Sequence, residues 1–246
     1  MGKKLIVILT LFALSACKKP DERACFKNLG DTDSLVIPFA GNFDEFVLGG
    51  NIKYEFYQDS SYQIVVKGGK NVIPFIEATD QDTALVIQNK NRCNFLRDGN
   101  SKITVELHFP EYKQLSGTPD DSVTFKDTIS GSVLEIEFLG GACSMVLNVD
   151  LNILKINLAF SAGDFYVGGQ VAVKSDLVVK TNAYGNATAL VCPYYFLHNR
   201  SNADLHVNLE ASSADIFIAG TGDIYYTGNP FSTIVSDAAD GELIAE

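Results

Sequence analysis

Three histidines, five cysteines and 30 acidic residues are the groups with which this 246-residue chain could do chemistry. A metal centre or a nucleophile with its base needs several of them at one place. His108, His198 and His206 each lack a second ligand at metal spacing, and no Cys-x-x-Cys occurs, so neither a metal nor another cofactor is expected. Acidic pairs stand at Asp44/Glu45, Asp80/Asp82, Asp120/Asp121 and Glu135/Glu137, and two neighbouring carboxylates can serve glycan cleavage as acid and base. Asp164, Asp204 and Asp223 share one phase of a repeat and each follows Gly or Ala, where bonding to the backbone of a turn accounts for them without chemistry. No catalytic residue is therefore assigned. A glycan-active enzyme stays as the alternative, to be recognised by phase-matched carboxylates in a groove.

Cys17 carries the clearest chemical signal. Lys3 and Lys4, an apolar run from Leu5 to Leu14, then Leu14-Ser15-Ala16-Cys17 follow in the order of a secretory leader. The run is too short to span a bilayer, which needs about 20 residues. Small residues before Cys17 resemble the lipobox of bacterial lipoproteins, which implies cleavage after residue 16 and acylation of Cys17. Two or three acyl chains hold a protein to a membrane where one does so only marginally. An acidic residue after the cysteine often retains lipoproteins at the inner membrane; Lys18 stands there, which points to the outer membrane of the cell envelope.

Loss of the leader removes two lysines and leaves 17 basic against 30 acidic residues, a net charge of −13. Such a surface repels phosphate backbones, so nucleic acid is excluded as a partner. The membrane is engaged through the lipid and not through a basic patch. Four cysteines remain after Cys17, an even number in an oxidising compartment.

Residues 17–33, polar and charged, read as a tether. From position 34 the pattern is strand after strand, with strict alternation over Lys102 to Phe109 and no amphipathic helix. Between 116 and 246 a small residue and a polar one precede an apolar-x-apolar triplet at Asp121-Ser122, Cys143-Ser144, Gly163-Asp164, Gly185-Asn186, Ala203-Asp204, Gly222-Asp223 and Gly241-Glu242. The polar members lie 22, 20, 22, 18, 19 and 19 residues apart, the period of solenoid rungs. Residues one and three after each marker share a face and are apolar throughout, from Val123 and Phe125 to Ile224 and Tyr226. A second apolar pair follows in each rung, including Phe196/His198 and, incompletely, Ile234. The fold class is thus all-β, a parallel β-solenoid whose turns stack about 4.8 Å apart. A β-sandwich with accidental periodicity is the competing reading.

In that solenoid Cys143 and Cys192 sit two rungs apart, beyond disulfide reach, and are expected as free, buried thiols. Cys25 and Cys93 remain as the candidate disulfide. The middle residue of each triplet points outward, giving Thr124, Val146, Tyr166, Thr188, His206, Tyr225 and Ile244 as a row. Tyr166, His206 and Tyr225 are the candidate binding face; cross-rung packing that merely stabilises the stack is the plain alternative.

Gly220-Thr221-Gly222-Asp223-Ile224-Tyr225-Tyr226-Thr227-Gly228-Asn229-Pro230 resembles the signature near the end of the head GIN domain family of auto-transporter adhesins, and the resemblance covers about residues 34–246. It implies an exported protein or lipoprotein, a right-handed parallel β-helix and a role in adhesion, with polysaccharide or a surface protein as partner. Asp121-Ser122, Cys143-Ser144 and Gly185-Asn186 depart from the Gly-Asp pair of the family's rungs.

Overall fold

The computed structural model describes residues 28–91, 102–159, 162–237 and 239–246. Cys17, Cys25 and Cys93, with the segment expected to be a leader, lie outside the described residues.

The described chain is all-β, a solenoid of about six turns. Its regular part begins with three long strands, β9 (Val123–Phe138), β10 (Met145–Leu158) and β11 (Phe165–Thr181), paired in parallel. Each bends midway, so its first half lies in one sheet, here called the front, and its second half in the back sheet. After β11 each turn uses two shorter strands. The front sheet continues through β12 (Gly185–Val191), β14 (Leu205–Asn208), β16 (Ile224–Thr227) and β18 (Leu243–Ala245). The back sheet continues through β13 (Tyr194–Ser201), β15 (Ser213–Ile218) and β17 (Ser232–Asp237). Inward side chains of both sheets form one buried cluster, with Met145, Phe165, Leu205 and Ile224 from the front and Leu154, Leu177, Leu197 and Ile216 from the back.

The first third of the chain does not stack in sequence order. β2 (Glu45–Gly50) pairs in parallel with both β6 (Ala84–Asn89) and β8 (Gln114–Pro119). β3 (Lys53–Gln58) lies likewise between β7 (Thr104–Phe109) and β9. The earliest turn is thus wedged between strands made later. Beyond it the stack ends in reversed strands: β4 (Gln63–Gly69) runs antiparallel to β7, and β1 (Thr32–Pro38) antiparallel to β4 on the front edge. β5 (Ile76–Gln81) runs antiparallel to β6 on the back edge.

Registers fix the rungs more tightly than the sequence pattern does. Phe165 aligns with Gly185, and Gly185 with Leu205, so Gly185 holds the first inward position of its rung, where the alternation places Ala187. The marker of that rung is Ala183-Tyr184. The backbone N–H groups of Met145, Phe165, Gly185, Leu205 and Ile224 donate to the carbonyls of Asp164, Tyr184, Asp204, Asp223 and Glu242. The polar members from Ser144 onward are therefore 20, 20, 20, 19 and 19 residues apart, a steadier period than the sequence markers have. The glycine is explained by its neighbours: a Cβ there would stand 2.6 Å from the Phe165 ring, which fills the space. One residue later in phase, Ala189 is exposed and not inward, because β12 carries an extra residue between its pairings with Tyr166 and Gly168. Two extra residues in β9, around Lys126 and Asp127, make the first turn longer.

Phe196/His198 and Ile234 also change faces. Tyr195 and Leu197 point inward instead and are fully buried, and Ile234 aligns with the outward Asp215. Both segments have apolar residues at adjacent positions, so alternation alone does not choose their parity. Cys143 and Cys192 are buried, free thiols, and burial pushes them up to about 12 and about 11.

Corners demand small residues. A Cβ on Gly163 would lie 1.7 Å from the Cys143 carbonyl oxygen, and one on Gly222 2.1 Å from that of Ala203. Inside the later corners a buried Asn199 donates from Nδ2 to the Gly222 carbonyl (2.9 Å), while its Oδ1 accepts from the Ser201 N–H (2.9 Å). Ser201 Oγ donates to the Ala183 carbonyl (2.9 Å). The Asn199–Gly222 and Ser201–Ala183 bonds each tie one turn to another, while the bond from the Ser201 N–H fixes the Asn199 amide within its own strand. Gly163→Val is expected to lower unfolding free energy by about 1–3 kcal/mol through overpacking against backbone that has no rotamer to yield. Urea denaturation followed by circular dichroism measures this, and a midpoint equal to that of the parent protein contradicts so close an approach.

Candidate functional site

The front sheet places the sequence candidates in one outward row. Cα register runs through Glu106, Glu55, Thr124, Val146, Tyr166, Asn186, His206, Tyr225 and Ile244. Nine strands at about 4.8 Å spacing make this row about 38 Å long. Asn186 occupies the place expected of Thr188, by the same two-residue shift that puts Gly185 inward. Thr188 remains outward, one step along β12, where its Oγ1 donates to Asn186 Oδ1 (2.8 Å).

Tyr166, His206 and Tyr225 do come together, and Tyr184 joins them. Ring centroids of Tyr166 and Tyr184 are 6.1 Å apart, those of Tyr184 and His206 5.5 Å, and those of His206 and Tyr225 4.8 Å. The last pair is parallel to within 10°, so their faces cover one another and their rims meet solvent. Tyr184 was readable in principle: it stands two residues before Asn186 and so shares its outward parity. It occupies the polar column beside the row, between Asp164 and Asp204. In that column Asp204 Oδ1 accepts from the Asp223 N–H and Asp223 Oδ1 from the Glu242 N–H, both at 2.9 Å. The acids thus bond to backbone, but to the next rung and not to their own turn. Asp223 Oδ2 also accepts from the Tyr225 hydroxyl (3.2 Å), and His206 Nδ1 lies 3.8 Å from Glu246.

At the other end of the row are two carboxylates that no sequence pairing joins. Glu55 and Glu106 are register partners on β3 and β7, 7% and 9% exposed. Like charges at facing positions repel, and lysines offset this. Lys53 and Lys126 reach Glu55 at 2.7 and 3.1 Å, and Lys67 pairs with Glu106. Burial raises the Glu55 pKa, but the hydrogen bonds from Lys53 and Lys126 outweigh it and hold the carboxyl below its ordinary value. Beside them Tyr57 and His108 stack at 4.6 Å, with His108 Nδ1 2.7 Å from Asp59 Oδ2 and the Tyr57 hydroxyl donating to Glu55 (3.3 Å). A general acid for glycan cleavage needs a raised pKa, and Glu55 is shifted the other way.

A surface depression at the back sheet is lined by Asp44, Glu111, Lys113, Gln114, Ser132, Val133 and Glu135. Its carboxylates are also paired: Lys113 meets Asp44 at 2.8 Å and Glu111 at 3.7 Å, and Lys155 meets Glu135 at 3.0 Å. Among the described residues no group of three His, Cys, Asp or Glu is placed to hold a metal ion. None of the described helices is long and apolar enough to cross a membrane.

Because its folded pKa is depressed, Glu55 contributes stability that is present above the ordinary carboxyl value and lost as pH falls through the folded one. Glu55→Gln is therefore expected to flatten the decline of stability with acid below about pH 4.5, the usual range of a glutamate. Urea midpoints across that range test the point; parallel curves for the parent and the variant would contradict it.

Comparison with known proteins follows from the same fold. The family described as "Putative auto-transporter adhesin, head GIN domain" matches residues 42–230. A solved structure described as a "putative adhesin" from Bacteroides fragilis NCTC 9343 superposes with a TM-score of 0.76 at 18% identity, covering 88% of this chain and 97% of that one. A "putative adhesin" from Parabacteroides distasonis ATCC 8503 gives 0.59 at 18% identity, over 88% and 98% of the two chains. A "Putative lipid binding protein" from the same organism also gives 0.59 at 18%, over 87% and 97%. At such identities the likeness is one of fold. No curated protein matches the chain.

Proposed function

The chain belongs to the head GIN domain family, and from that membership we propose that it is a non-catalytic binding protein of the bacterial envelope, held by lipid on Cys17 and used in adhesion. Polysaccharide is the partner best suited to the outward row of the front sheet, with a surface protein second. One observation carries this: the Tyr166, Tyr184, His206 and Tyr225 side chains form a continuous strip on rungs locked by backbone bonds. Because His206 and Tyr225 stack on each other, the strip offers rims, hydroxyls and carboxylates more than open ring faces. It is thus a row of hydrogen-bonding groups repeated once per rung, which suits a ligand that also repeats. Rigid side chains held in advance cost little entropy on binding.

Glu55 and Glu106 are both engaged by lysines and neither stands as a free carboxylate, which supports binding over cleavage. The lipid reading rests on residues 3–17 alone, and Lys18 supports the outer membrane.

Substituting Tyr166, Tyr184 and Tyr225 together with Ser is expected to weaken binding to a polysaccharide-coated surface at least about tenfold, the equivalent of about 1.4 kcal/mol. Biolayer interferometry on immobilised envelope polysaccharide reads this, with circular dichroism to establish that the variant is folded. Unchanged binding by a folded variant moves the site elsewhere, and release of new reducing ends would replace binding by catalysis. Separately, Cys17→Ser is expected to shift the protein from the membrane to the soluble fraction of lysed cells; a variant that stays with the membrane rules out the lipid.

A further inference from the structure

Among the described residues the solenoid has four edge strands, and three of them are protected against pairing. β1 carries Asp33 and Pro38, β5 carries Glu77 and Asp80, and β18 is only three residues long. Charges, proline and shortness are the usual devices that keep a sheet edge from adding a strand. β17 carries a charge only at its last residue, Asp237, and none of these devices from Ser232 to Ser236; among the described residues it pairs only with β15. It is also where apolar side chains meet solvent most: Phe231 is 78% exposed, Ile234 66% and Val235 40%.

The order of residues in β17 indicates what covers it. Ser232-Thr233-Ile234-Val235-Ser236 reads nearly the same in both directions, with Thr and Val alike in shape. We propose that β17 pairs antiparallel with β17 of a second copy of this chain, about a two-fold axis through Ile234. Directly opposed residues in an antiparallel pair point to the same side, so the axis must pass through a residue and not between two. Centred on Ile234, the register sets Ile234 against Ile234 of the second copy, Thr233 against its Val235 and Ser232 against its Ser236.

Charge favours the same occupant and orientation. A mature chain of net charge −13 repels its own copies over most of its surface, and β17 offers five uncharged residues in a row. Shifting the axis to Val235 would put Ile234 against Ser236, a poorer match. One six-residue strand buries less than a permanent dimer requires, so the pairing is concentration-dependent. Joined in this way, two copies have their N-terminal ends at opposite ends of the pair, which is hinged open on the front side because β18 of each copy projects one strand beyond β17. Combined with the anchoring reading above, on which this last point rests, the contact would bridge two membranes rather than cluster molecules on one.

Analytical ultracentrifugation of the mature-length chain with Cys17→Ser tests the pairing independently of the lipid. The expected result is a reversible monomer–dimer equilibrium, with Ile234→Lys raising the dissociation constant at least about tenfold because it sets two like charges face to face. Ile234→Cys should cross-link the pair on mild oxidation, whereas Ser213→Cys on the covered β15 should not. A sample that stays monomeric at every concentration and does not cross-link through position 234 overturns the inference and leaves the edge to a strand of another protein. A dimer that Ile234→Lys leaves intact overturns it as well. Either result leaves the Cys17 fractionation above untouched, so failure of the pairing and failure of the anchor are read separately.

Discussion

The whole solenoid depends on how closely its turns approach one another at the corner before each front strand. At Gly163, Gly222 and Gly241 the backbone passes so near the preceding turn that a Cβ would lie 1.7–2.4 Å from a carbonyl oxygen. The residue after each small one then closes the ladder, its carbonyl accepting from the previous turn's strand. Asp204 and Asp223 add a side-chain bond to the next turn. This pairing of a small residue with a polar one is the physical content of the recurring motif. It sets the rung spacing, and the spacing sets the outward row on which any function of the front sheet rests.

Much of this was legible because strand parity and corner size both leave marks in sequence. Gly163-Asp164, Ala203-Asp204, Gly222-Asp223 and Gly241-Glu242 locate their rungs without help. The rung of β12 misleads, since Gly185-Asn186 imitates a marker while the true one, Ala183-Tyr184, looks like neither glycine nor acid. Gly185 sits where an apolar side chain belongs because Phe165 of the neighbouring turn already fills that volume, and such sharing between turns is invisible to alternation. Tyr195-Phe196-Leu197 and Ile234-Val235 are apolar at both parities, so only the tertiary register decides which side goes in.

The wedged turn of β2 and β3 was not legible at all. Its strands pair with segments about 40 to 70 residues away in sequence, and parallel pairing of that kind leaves no local signal. The Glu55–Glu106 pair was hidden for the same reason, since 51 positions separate two carboxylates that the fold sets side by side. The candidate binding residues lie instead in the sequential half, where turn follows turn, and there the outward row could be read ahead of the structure except in the rung of β12, where Asn186 stands in place of Thr188 and Tyr184 joins from the column beside it.

That wedged turn also makes the molecule unequal under load. A pull on the C-terminal side meets β18 and β17, each paired along one edge, and can peel them singly. Tension from the N-terminal side reaches β1 and then strands clamped along both edges, β2 by β6 and β8 and β3 by β7 and β9. Two ladders must part there for every strand withdrawn. The end of the chain that bears Cys17 is therefore the mechanically stronger one, and shear applied to the stack should unravel it from the far tip inward.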